Sequence, residues 1–304
     1  MKKILAALLA ATVLSPVLAP VVTPAAHAEG IKQFNVGVLG GENAQDRVNS
    51  NECYRKKIED TLGVPVKLFT PADYDGVIQG LLGGTIDAAV LGASGYAKIY
   101  LTDPKAVSPV LTTEGMDGSL GYYSVGIARK DSGIKSLSDM KGKVMGFGDP
   151  NSTSGYLIPS VEFKAQGIST EPGAYFKDVK FTGGHEQTIV AVKNKDIDGG
   201  VTWADAQGNW EDGYNVGALR KAVDAGLIDM NDYVQIWKSK LIPNGPLVIR
   251  NALPEDVKKK VIDLTTGLDK DCAYGVAGGE IKGFVPVTKA DYDSIIEARK
   301  MSSK

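Results

Sequence analysis

Residues 66–92 read VKLFTPADYDGVIQGLLGGTIDAAVLG and contain one complete strand–helix–strand unit. VKLFT (66–70) and DAAVLG (87–92) are short apolar runs with the length of buried strands, and the helical pattern YDGVIQGLLGG lies between them. Parallel strands need a crossover connection, which is usually a helix. The unit therefore predicts an α/β fold with a mainly parallel sheet covered by helices.

The same alternation of strand-like and helical segments covers most of the chain. FNVGVLGG (34–41) predicts a further strand, and it precedes a polar helix in which Tyr54, Ile58 and Leu62 recur at intervals of four residues. A second series of strand-like runs comprises YYSVGIARK, KVMGFGD, DVKFTGG, DGGVTW, YVQIWKS (233–239) and PLVIR (246–250), and charged helices over 254–267 and 289–300 close the chain. Ligands of such sheets bind in the loops at the carboxyl ends of the strands.

The two series of strand–helix units predict two α/β lobes, because no flexible low-complexity linker separates them. In such a protein the chain crosses between the lobes more than once. The turn-rich stretches DGSLGYY (117–123) and WKSKLIPNGP (237–246) are the candidate hinge strands. We therefore expect residues 29–120 and 244–304 in one lobe and residues 121–243 in the other. A single doubly wound domain is the alternative arrangement.

The first 28 residues have the features of a secretory signal peptide. Lys2 and Lys3 precede an apolar stretch that prolines interrupt, and Ala26 and Ala28 form an A-x-A cleavage signal. Cleavage after Ala28 removes two lysines and no acid, which takes the formal net charge from −2 to −4. No cysteine lies near the cut, so we expect no lipid anchor. The mature protein is predicted to be exported.

The charge of the chain limits its partners. A mildly acidic protein without basic runs is not typical of proteins that bind nucleic acid or anionic membranes. No segment after the signal approaches the ~20 apolar residues of a membrane-spanning helix, so we expect no membrane insertion. The composition therefore favours a soluble, exported protein.

Cysteine and histidine usage limits the chemistry. Cys53 and Cys272 either form one disulfide or remain two separate buried thiols, and the sequence leaves both open because it does not give the distance between them. His27 leaves with the signal, so His185 is the only imidazole of the mature chain. This set predicts no metal site. No dinucleotide or phosphate-loop fingerprint is present, and we expect no cofactor.

GDPNSTSG (148–155) contains three adjacent hydroxyl residues at a point where a strand ends and a helix begins. D-P-N predicts a turn, Ser152 suits the N-cap position, and Thr153 and Ser154 then lie in the first helical turn. An anion placed there gains the hydroxyls, the N–H groups that lack intrahelical partners and the positive end of the helix dipole. The alternative is an ordinary capped helix. His185 follows another strand, and in a parallel sheet its loop opens on the same edge.

An enzyme is the alternative class of protein. Ser154 and His185 could combine with an acid into a catalytic triad, as in a secreted hydrolase of phosphorus esters. The chain has no G-x-S-x-G, H-E-x-x-H or G-x-x-x-x-G-K-[ST] motif. A chain rich in Ser and Asp permits many such combinations, so the sequence favours a binding protein.

Five segments recur in the same order in phosphonate-binding proteins of ABC transporters. They are A-D-Y-D-G-V-I-Q-G (72–80), G-Y-Y-S (121–124), G-D-P-N-S-T-S-G (148–155), G-G-H-E (183–186) and W-K-S-K-L-I-P (237–243). The similarity spans nearly the whole mature chain, and S-T-S-G and G-H-E are specific. The chain thus resembles the periplasmic substrate-binding component of a phosphonate importer. The resemblance implies a type II periplasmic-binding-protein fold, whose two lobes close on the ligand, and an ABC-transporter permease as partner.

The resemblance also implies a set of ligand-binding residues. The family's hydroxyls that hold the phosphonate oxygens match Ser152, Thr153 and Ser154. Because a phosphonate has three oxygens and one carbon on its phosphorus, we infer that its P–C bond points toward Asp205 and the aromatic side chains, including Trp203. The predicted ligand-binding residues are Tyr74, Tyr122, Ser152, Thr153, Ser154, His185, Trp203 and Asp205.

Family members that recognise an aminoalkyl chain add carboxylates that face the amine. One such acid aligns with Asp205 in T-W-A-D-A-Q, where the related residue is Glu. A second acid often precedes the final proline of I-P-G-D-P, whereas this chain has Gly245 in I-P-N-G-P. We expect 2-aminoethylphosphonate as the ligand, with Asp205 as the counter-charge of the amine. Methylphosphonate, phosphite and phosphate are the alternative ligands.

Overall fold

The computed structural model describes residues 30–40 and 44–302, so the predicted signal peptide lies outside the described residues. The strands are β1 (Phe34–Gly37), β2 (Val66–Phe69), β3 (Ala88–Val90), β4 (Val107–Glu114), β5 (Gly121–Arg129), β6 (Val144–Phe147), β7 (Asp178–Phe181), β8 (Gly199–Ala204), β9 (Tyr233–Lys238), β10 (Ile242–Pro243), β11 (Pro246–Arg250) and β12 (Gly283–Pro286). The α-helices are α1 (Ala44–Leu62), α2 (Tyr74–Gly83), α3 (Ala93–Thr102), α4 (Ile158–Ala165), α5 (His185–Lys193), α6 (Ala218–Asp224), α7 (Glu255–Thr266), α8 (Lys270–Ala277) and α9 (Asp293–Ser302). Short 3₁₀ turns span Lys130–Ser132, Leu137–Met140, Trp210–Asp212, Met230–Asp232 and Lys289–Tyr292, and a π-helical turn spans Thr153–Leu157.

The strands form two six-stranded sheets. The first has the order β12-β4-β11-β3-β1-β2, and the second has the order β10-β5-β8-β6-β7 with β9 also paired to β5. Helices pack against both sheets, which gives the two α/β lobes that the sequence predicts. We call the lobe around the first sheet lobe 1 and the lobe around the second sheet lobe 2.

The described chain passes from one sheet to the other at two places. Residues 115–120 connect β4 of the first sheet with β5 of the second, and residues 244–245 connect β10 with β11 on the return. Both segments lie in or beside the turn-rich stretches expected to be hinges. We propose that they bound the two lobes.

Both sheets are mixed, which corrects the expectation of a mainly parallel sheet. β1 is parallel to β2 and β3, and β6 is parallel to β7 and β8, as the strand–helix–strand pattern predicts. The strands beside the crossings are antiparallel: β11 to β3 and β4, and β5 to β8, β9 and β10. A chain that leaves a lobe along one strand returns along another in the opposite direction, and short strand-like runs do not reveal this direction.

The core of lobe 1 follows the sequence pattern. Tyr54, Ile58 and Leu62 of α1 are 0–1% exposed, which confirms the face predicted from their spacing. The α2 helix begins where the Asp73 carboxylate accepts the Gly76 N–H at 2.8 Å. No helix in the described part of the chain is long and apolar enough to cross a membrane.

Cys53 of α1 and Cys272 of α8 form a disulfide, with their Cα atoms 5.6 Å apart. The question that the sequence left open is therefore decided by the packing of these two helices. Both helices belong to lobe 1, so the bond closes a loop of 219 residues without restricting the movement of one lobe against the other.

We expect the double substitution Cys53→Ala/Cys272→Ala to lower the free energy of unfolding by about 2–4 kcal/mol, because the cross-link reduces the conformational entropy of the unfolded chain. Urea unfolding followed by circular dichroism measures the change. A reductant should destabilise the wild-type protein to the same level and leave the variant unchanged. Equal stability of the variant and the oxidised wild-type protein would contradict the prediction.

Candidate functional site

The cleft between the two lobes, about 310 Å³ in volume, is the candidate site. The carboxyl ends of β1 and β3 from lobe 1 and the loops after β6 and β7 from lobe 2 line it. Seven of the eight predicted ligand-binding residues lie in this lining, namely Tyr74, Tyr122, Ser152, Thr153, Ser154, His185 and Trp203. Asp205 is not among them.

The loop after β6 folds as the sequence predicts. The Asn151 N–H donates to Oδ1 of Asp149 at 2.6 Å and closes the turn. Oγ of Ser152 accepts the Gly155 N–H at 3.0 Å, which confirms Ser152 as the N-cap. We call Ser152, Thr153 and Ser154 the cradle.

A π-helical turn, Thr153–Leu157, follows the N-cap. Pro159 has no N–H and cannot donate to the Gly155 carbonyl four residues earlier, which instead accepts the Gly148 N–H at 2.9 Å. The Ile158 N–H donates to the Thr153 carbonyl, five residues earlier. The Leu157 N–H likewise donates to the Ser152 carbonyl, so these two bonds define the wider turn, a feature that is frequent at functional sites.

The cradle side chains are buried and fixed from both lobes. Each of the three is 3% exposed or less. Oγ1 of Thr153 accepts the N–H of Ser94, in the first turn of α3 in lobe 1, at 2.9 Å. The Ser154 carbonyl accepts the hydroxyl of Ser124 on β5 at 2.7 Å. A hydroxyl that accepts a hydrogen bond still carries an O–H donor, so the bond from Ser94 orients the Thr153 hydroxyl without itself occupying that donor.

His185 is the first residue of α5 and is 8% exposed. Because β6 and β7 are parallel, its loop opens beside the cradle, as predicted. Nε2 of His185 lies 3.4 Å from Oγ of Ser152, and Nδ1 lies 3.5 Å from Oγ1 of Thr202. Both neighbours are hydroxyls, which donate or accept, so the ring can be held with either nitrogen protonated.

Two aromatic residues of lobe 2 form the wall beside the cradle. Tyr122 on β5 and Trp203 on β8 stack edge to face, with ring centroids 5.7 Å apart. Burial raises the pKa of the Tyr122 hydroxyl, and hydrogen bonds with Ser154 and Thr153 lower it by less. The phenol therefore stays neutral at pH 7 and shares hydrogen bonds with the two cradle hydroxyls.

Tyr74 lies on the opposite side of the cleft, at the start of α2, and is 7% exposed. Its N–H donates to Oδ2 of Asp149 in lobe 2 at 3.3 Å. Burial raises the pKa of Asp149, whereas the N–H groups of Asn151 and Tyr74 lower it. Like the bond from Ser94 to Thr153, this contact joins the two lobes at the cleft.

The electrostatics of the cleft suit an anion. The helices α2, α3 and α5 and the turn before α4 all begin at its walls, so their positive dipole ends face it. Among the described residues that line the cleft none is Asp or Glu, whereas Arg47 and Lys221 are present. Within residues 30–40 and 44–302 no group of three or more His, Cys, Asp or Glu side chains could hold a metal ion.

Asp205 follows β8 and is only partly buried. Its Oδ1 accepts the Gln207 N–H at 3.2 Å, and the N–H groups of Asn215 and Val216 also stabilise the carboxylate. Burial nevertheless raises the pKa of Asp205, as does the charge of Asp117. The carboxylate thus organises the loop that leads to α6.

Gly245 lies against the backbone at the end of β3. A Cβ at this position would overlap the carbonyl oxygen of Leu91. The lack of an acid here is therefore built into the backbone, because any side chain would require the crossing segment to move.

The sequence reasoning missed several residues of the cleft. Gly92 of the lining occurs in DAAVLGASG, where a strand is followed by small residues at a helix start, which is the same signal that marked the cradle; Ser94 of the same segment is fully buried behind the lining. Lys221 lies apart from any motif, whereas Asn244 belongs to the I-P-N-G-P segment, in which only Gly245 was singled out. The segment from Tyr274 to Gly278 at the end of α8 also lines the cleft, and only the helix packing brings it there.

These features define a two-lobed protein whose cleft between the lobes suits an anion. Residues 36–292 match the family described as the periplasmic substrate-binding protein of phosphonate ABC transporters, and the chain belongs to this family. Members of this family are substrate-binding proteins rather than enzymes, so the hydrolase alternative is not supported.

Two relatives illustrate the range of the family. The chain is 35% identical over 246 residues to the phosphonates-binding periplasmic protein of Escherichia coli K12, which covers 78% of this chain and 67% of that protein. It is 27% identical over 288 residues to the phosphate-import protein PhnD of Mycolicibacterium smegmatis, which covers 88% and 85% of the two chains.

Solved structures show the same fold. A binding-protein component of an ABC phosphonate transporter from Pseudomonas aeruginosa superposes with a TM-score of 0.76 at 28% identity, over 89% of this chain and 86% of that one. PhnD1 from Prochlorococcus marinus in complex with methylphosphonate superposes with a TM-score of 0.75 at 20% identity, over 90% and 99% of the chains. The expected type II periplasmic-binding-protein fold is confirmed.

We expect Thr153→Ala to weaken the binding of every phosphonate by about 1.5–3 kcal/mol, or roughly tenfold to a hundredfold, because a hydrogen bond to a charged ligand is lost. Isothermal titration calorimetry measures the loss. Thr153→Ser keeps the hydroxyl and should retain most of the affinity. Unchanged affinity of the alanine variant would exclude the cradle as the phosphonate site.

We expect Gly92→Ala to weaken phosphonate binding by about tenfold, because its Cβ would lie 2.9 Å from Oγ1 of Thr153 and would crowd the cradle. The matched control is Gly95→Ala, whose Cβ would make ordinary contacts, 3.7 Å from Ile78 at the nearest. Calorimetry on both variants separates crowding at the cradle from a general effect on α3. Equal affinities of the Gly92→Ala and Gly95→Ala variants would contradict the close approach of Gly92 in lobe 1 to Thr153 in lobe 2.

Proposed function

We propose that the protein is a periplasmic receptor that binds a small phosphonate between its lobes and delivers it to the permease of an ABC importer. The observation that carries this proposal is the cradle, in which three buried hydroxyls meet at a helix start. The proposed signal peptide, residues 1–28, accounts for export.

The geometry around the cradle supports a phosphonate as the ligand. A phosphonate presents three oxygens, and the cradle hydroxyls, His185 and the Tyr122 phenol are donors of suitable number on one side of the cleft. The carbon substituent forms no hydrogen bond, and the Tyr122–Trp203 pair supplies an apolar surface for it. Neutral donors each contribute about 1.5–3 kcal/mol to a charged ligand, and a few of them suffice for tight binding.

The nature of the substituent is the finer part of the proposal. The sequence predicts 2-aminoethylphosphonate, which needs a carboxylate beside its amine. Asp205 is engaged by backbone N–H groups, Gly245 leaves no room for an acid, and the described lining carries Lys221 and Arg47 instead. Like charges disfavour an ammonium group in such a cleft. These observations favour an uncharged substituent, as in methylphosphonate.

The relatives supply the other ligands for a test. Their names refer to phosphonates in Escherichia coli, phosphate in Mycolicibacterium smegmatis and phosphite in Prochlorococcus marinus. Calorimetry with methylphosphonate, 2-aminoethylphosphonate, phosphite and phosphate therefore covers the alternatives. Stoichiometric binding of a phosphonate without turnover of p-nitrophenyl phosphate esters supports the proposed function, and binding of none of the four would overturn it.

We expect the wild-type protein to bind methylphosphonate at least as tightly as 2-aminoethylphosphonate, and Asp205→Asn to change both affinities by less than about threefold, within the effect expected for a surface charge. Asp232→Asn, which removes an exposed carboxylate of lobe 2, is the control for net charge. Tighter binding of 2-aminoethylphosphonate that Asp205→Asn abolishes would instead assign Asp205 to the amine.

A further inference from the structure

The guanidinium group of Arg299 joins the two lobes behind the cradle. Arg299 lies on α9 of lobe 1. Its Nη1 donates to Oγ of Ser94 on α3 at 2.7 Å, and its Nη2 donates to Oδ1 of Asn151 at 2.8 Å. Asn151 belongs to the loop of lobe 2 that leads into the cradle, so one side chain bonds to both lobes.

Both partners of Arg299 also hold residues of the cleft. The Ser94 N–H donates to Oγ1 of Thr153, and the Asn151 N–H donates to Oδ1 of Asp149, whose other oxygen accepts the Tyr74 N–H. Ser94 is fully buried and Asn151 is 7% exposed, so water does not compete freely for these bonds. The position of Arg299 is thereby linked to the cradle and to Tyr74.

Arginine suits this position better than lysine. The fork of the guanidinium presents two nitrogens to two acceptors on different elements, whereas a lysine ammonium is a single point of charge. Burial lowers the pKa of Arg299, and the carboxylates of Asp149 and Asp75 raise it. Arginine remains charged at every physiological pH, so the link does not depend on pH.

We propose that Arg299 is a positioning residue for ligand binding, which holds the lobes in the closed arrangement without touching the ligand. It is not among the residues that line the cleft. Its bond to Asn151 spans the two lobes, so separation of the lobes would break it; the bond thereby stabilises the closed state over an open one and slows release of the ligand. This inference rests on the proposed function.

The test measures dissociation rates of methylphosphonate and 2-aminoethylphosphonate by stopped-flow fluorescence, since Trp203 lines the cleft. We expect Arg299→Gln to raise the dissociation rate about tenfold, as expected for the loss of hydrogen bonds to a charged group, with a smaller change in the association rate. Asn151→Ala should have a similar effect, and the double variant should add little to either, because the residues act through one bond.

Three further experiments separate positioning from stability. Lys300→Gln, on the exposed side of the same helix, is the matched control and should leave the dissociation rate unchanged. Urea unfolding reports any loss of folding stability. A loss of stability alone would not change the ratio of the dissociation rate to the association rate of the ligand. Arg299→Lys should restore only part of the slow release. An unchanged dissociation rate in Arg299→Gln, or full additivity with Asn151→Ala, would overturn the proposal.

Small-angle scattering tests the same proposal without relying on the identity of the ligand. Arg299→Gln should have a larger radius of gyration than the wild-type protein, with or without methylphosphonate, because the open state gains population. Identical scattering of the two proteins in both conditions would overturn the role of Arg299. Failure of the wild-type protein to bind any phosphonate would overturn the proposed function instead.

Discussion

The hydrogen bond from the Ser94 N–H to the Thr153 hydroxyl connects the two halves of the binding site. It requires a helix of one lobe to begin where a helix of the other lobe begins, and this follows from the arrangement of both sheets. In each lobe the helices start at the carboxyl ends of parallel strands, and these ends face the cleft. Gly92, which precedes the helix, has no side chain, and this allows the close approach.

A site built in this way attracts an anion mainly through partial charges. Hydroxyls, N–H groups and helix dipoles have defined directions, so they distinguish a tetrahedral oxyanion from other anions by geometry. The arginine behind the cradle, Arg299, bonds to Ser94 and Asn151. The positive charge of Arg299 therefore lies at the contact between the two lobes. In the proposed receptor this separation would favour release of the ligand, since several moderate hydrogen bonds, rather than one strong ion pair, would hold it.

The sequence predicts the local parts of the site well. The cradle forms because Ser152 caps a helix after a strand, and the place of His185 follows from the parallel pairing of β6 and β7. Both depend on short-range rules for strands, turns and caps. The predicted two-lobed α/β fold rests on the same alternation of strands and helices, and the structure confirms it.

What the sequence did not predict depends on contacts between distant segments. The pairing of Cys53 with Cys272 requires α1 and α8 to be adjacent, which no local pattern indicates. The surroundings of Asp205 depend on how the following loop folds back, because N–H groups at the far end of that loop stabilise the carboxylate. The space around Gly245 is set by the end of β3, about 150 residues earlier in the chain. Propensity and periodicity describe neighbours in sequence, so such contacts lie beyond their reach.

The two crossing segments are bonded to each other, and this limits how the lobes can move. The Asn244 N–H donates to the Leu120 carbonyl, and the Asn244 side chain donates to the Thr113 carbonyl, each at 2.9 Å. A pair of segments joined in this way is suited to bend as one hinge, as in domain closure around a ligand. The cradle and His185 lie on lobe 2, whereas Ser94 and Tyr74 lie on lobe 1. The contacts of the site therefore come from both lobes, and the proposed role of Arg299 follows from the same arrangement, because its two acceptors, Ser94 and Asn151, lie on different lobes.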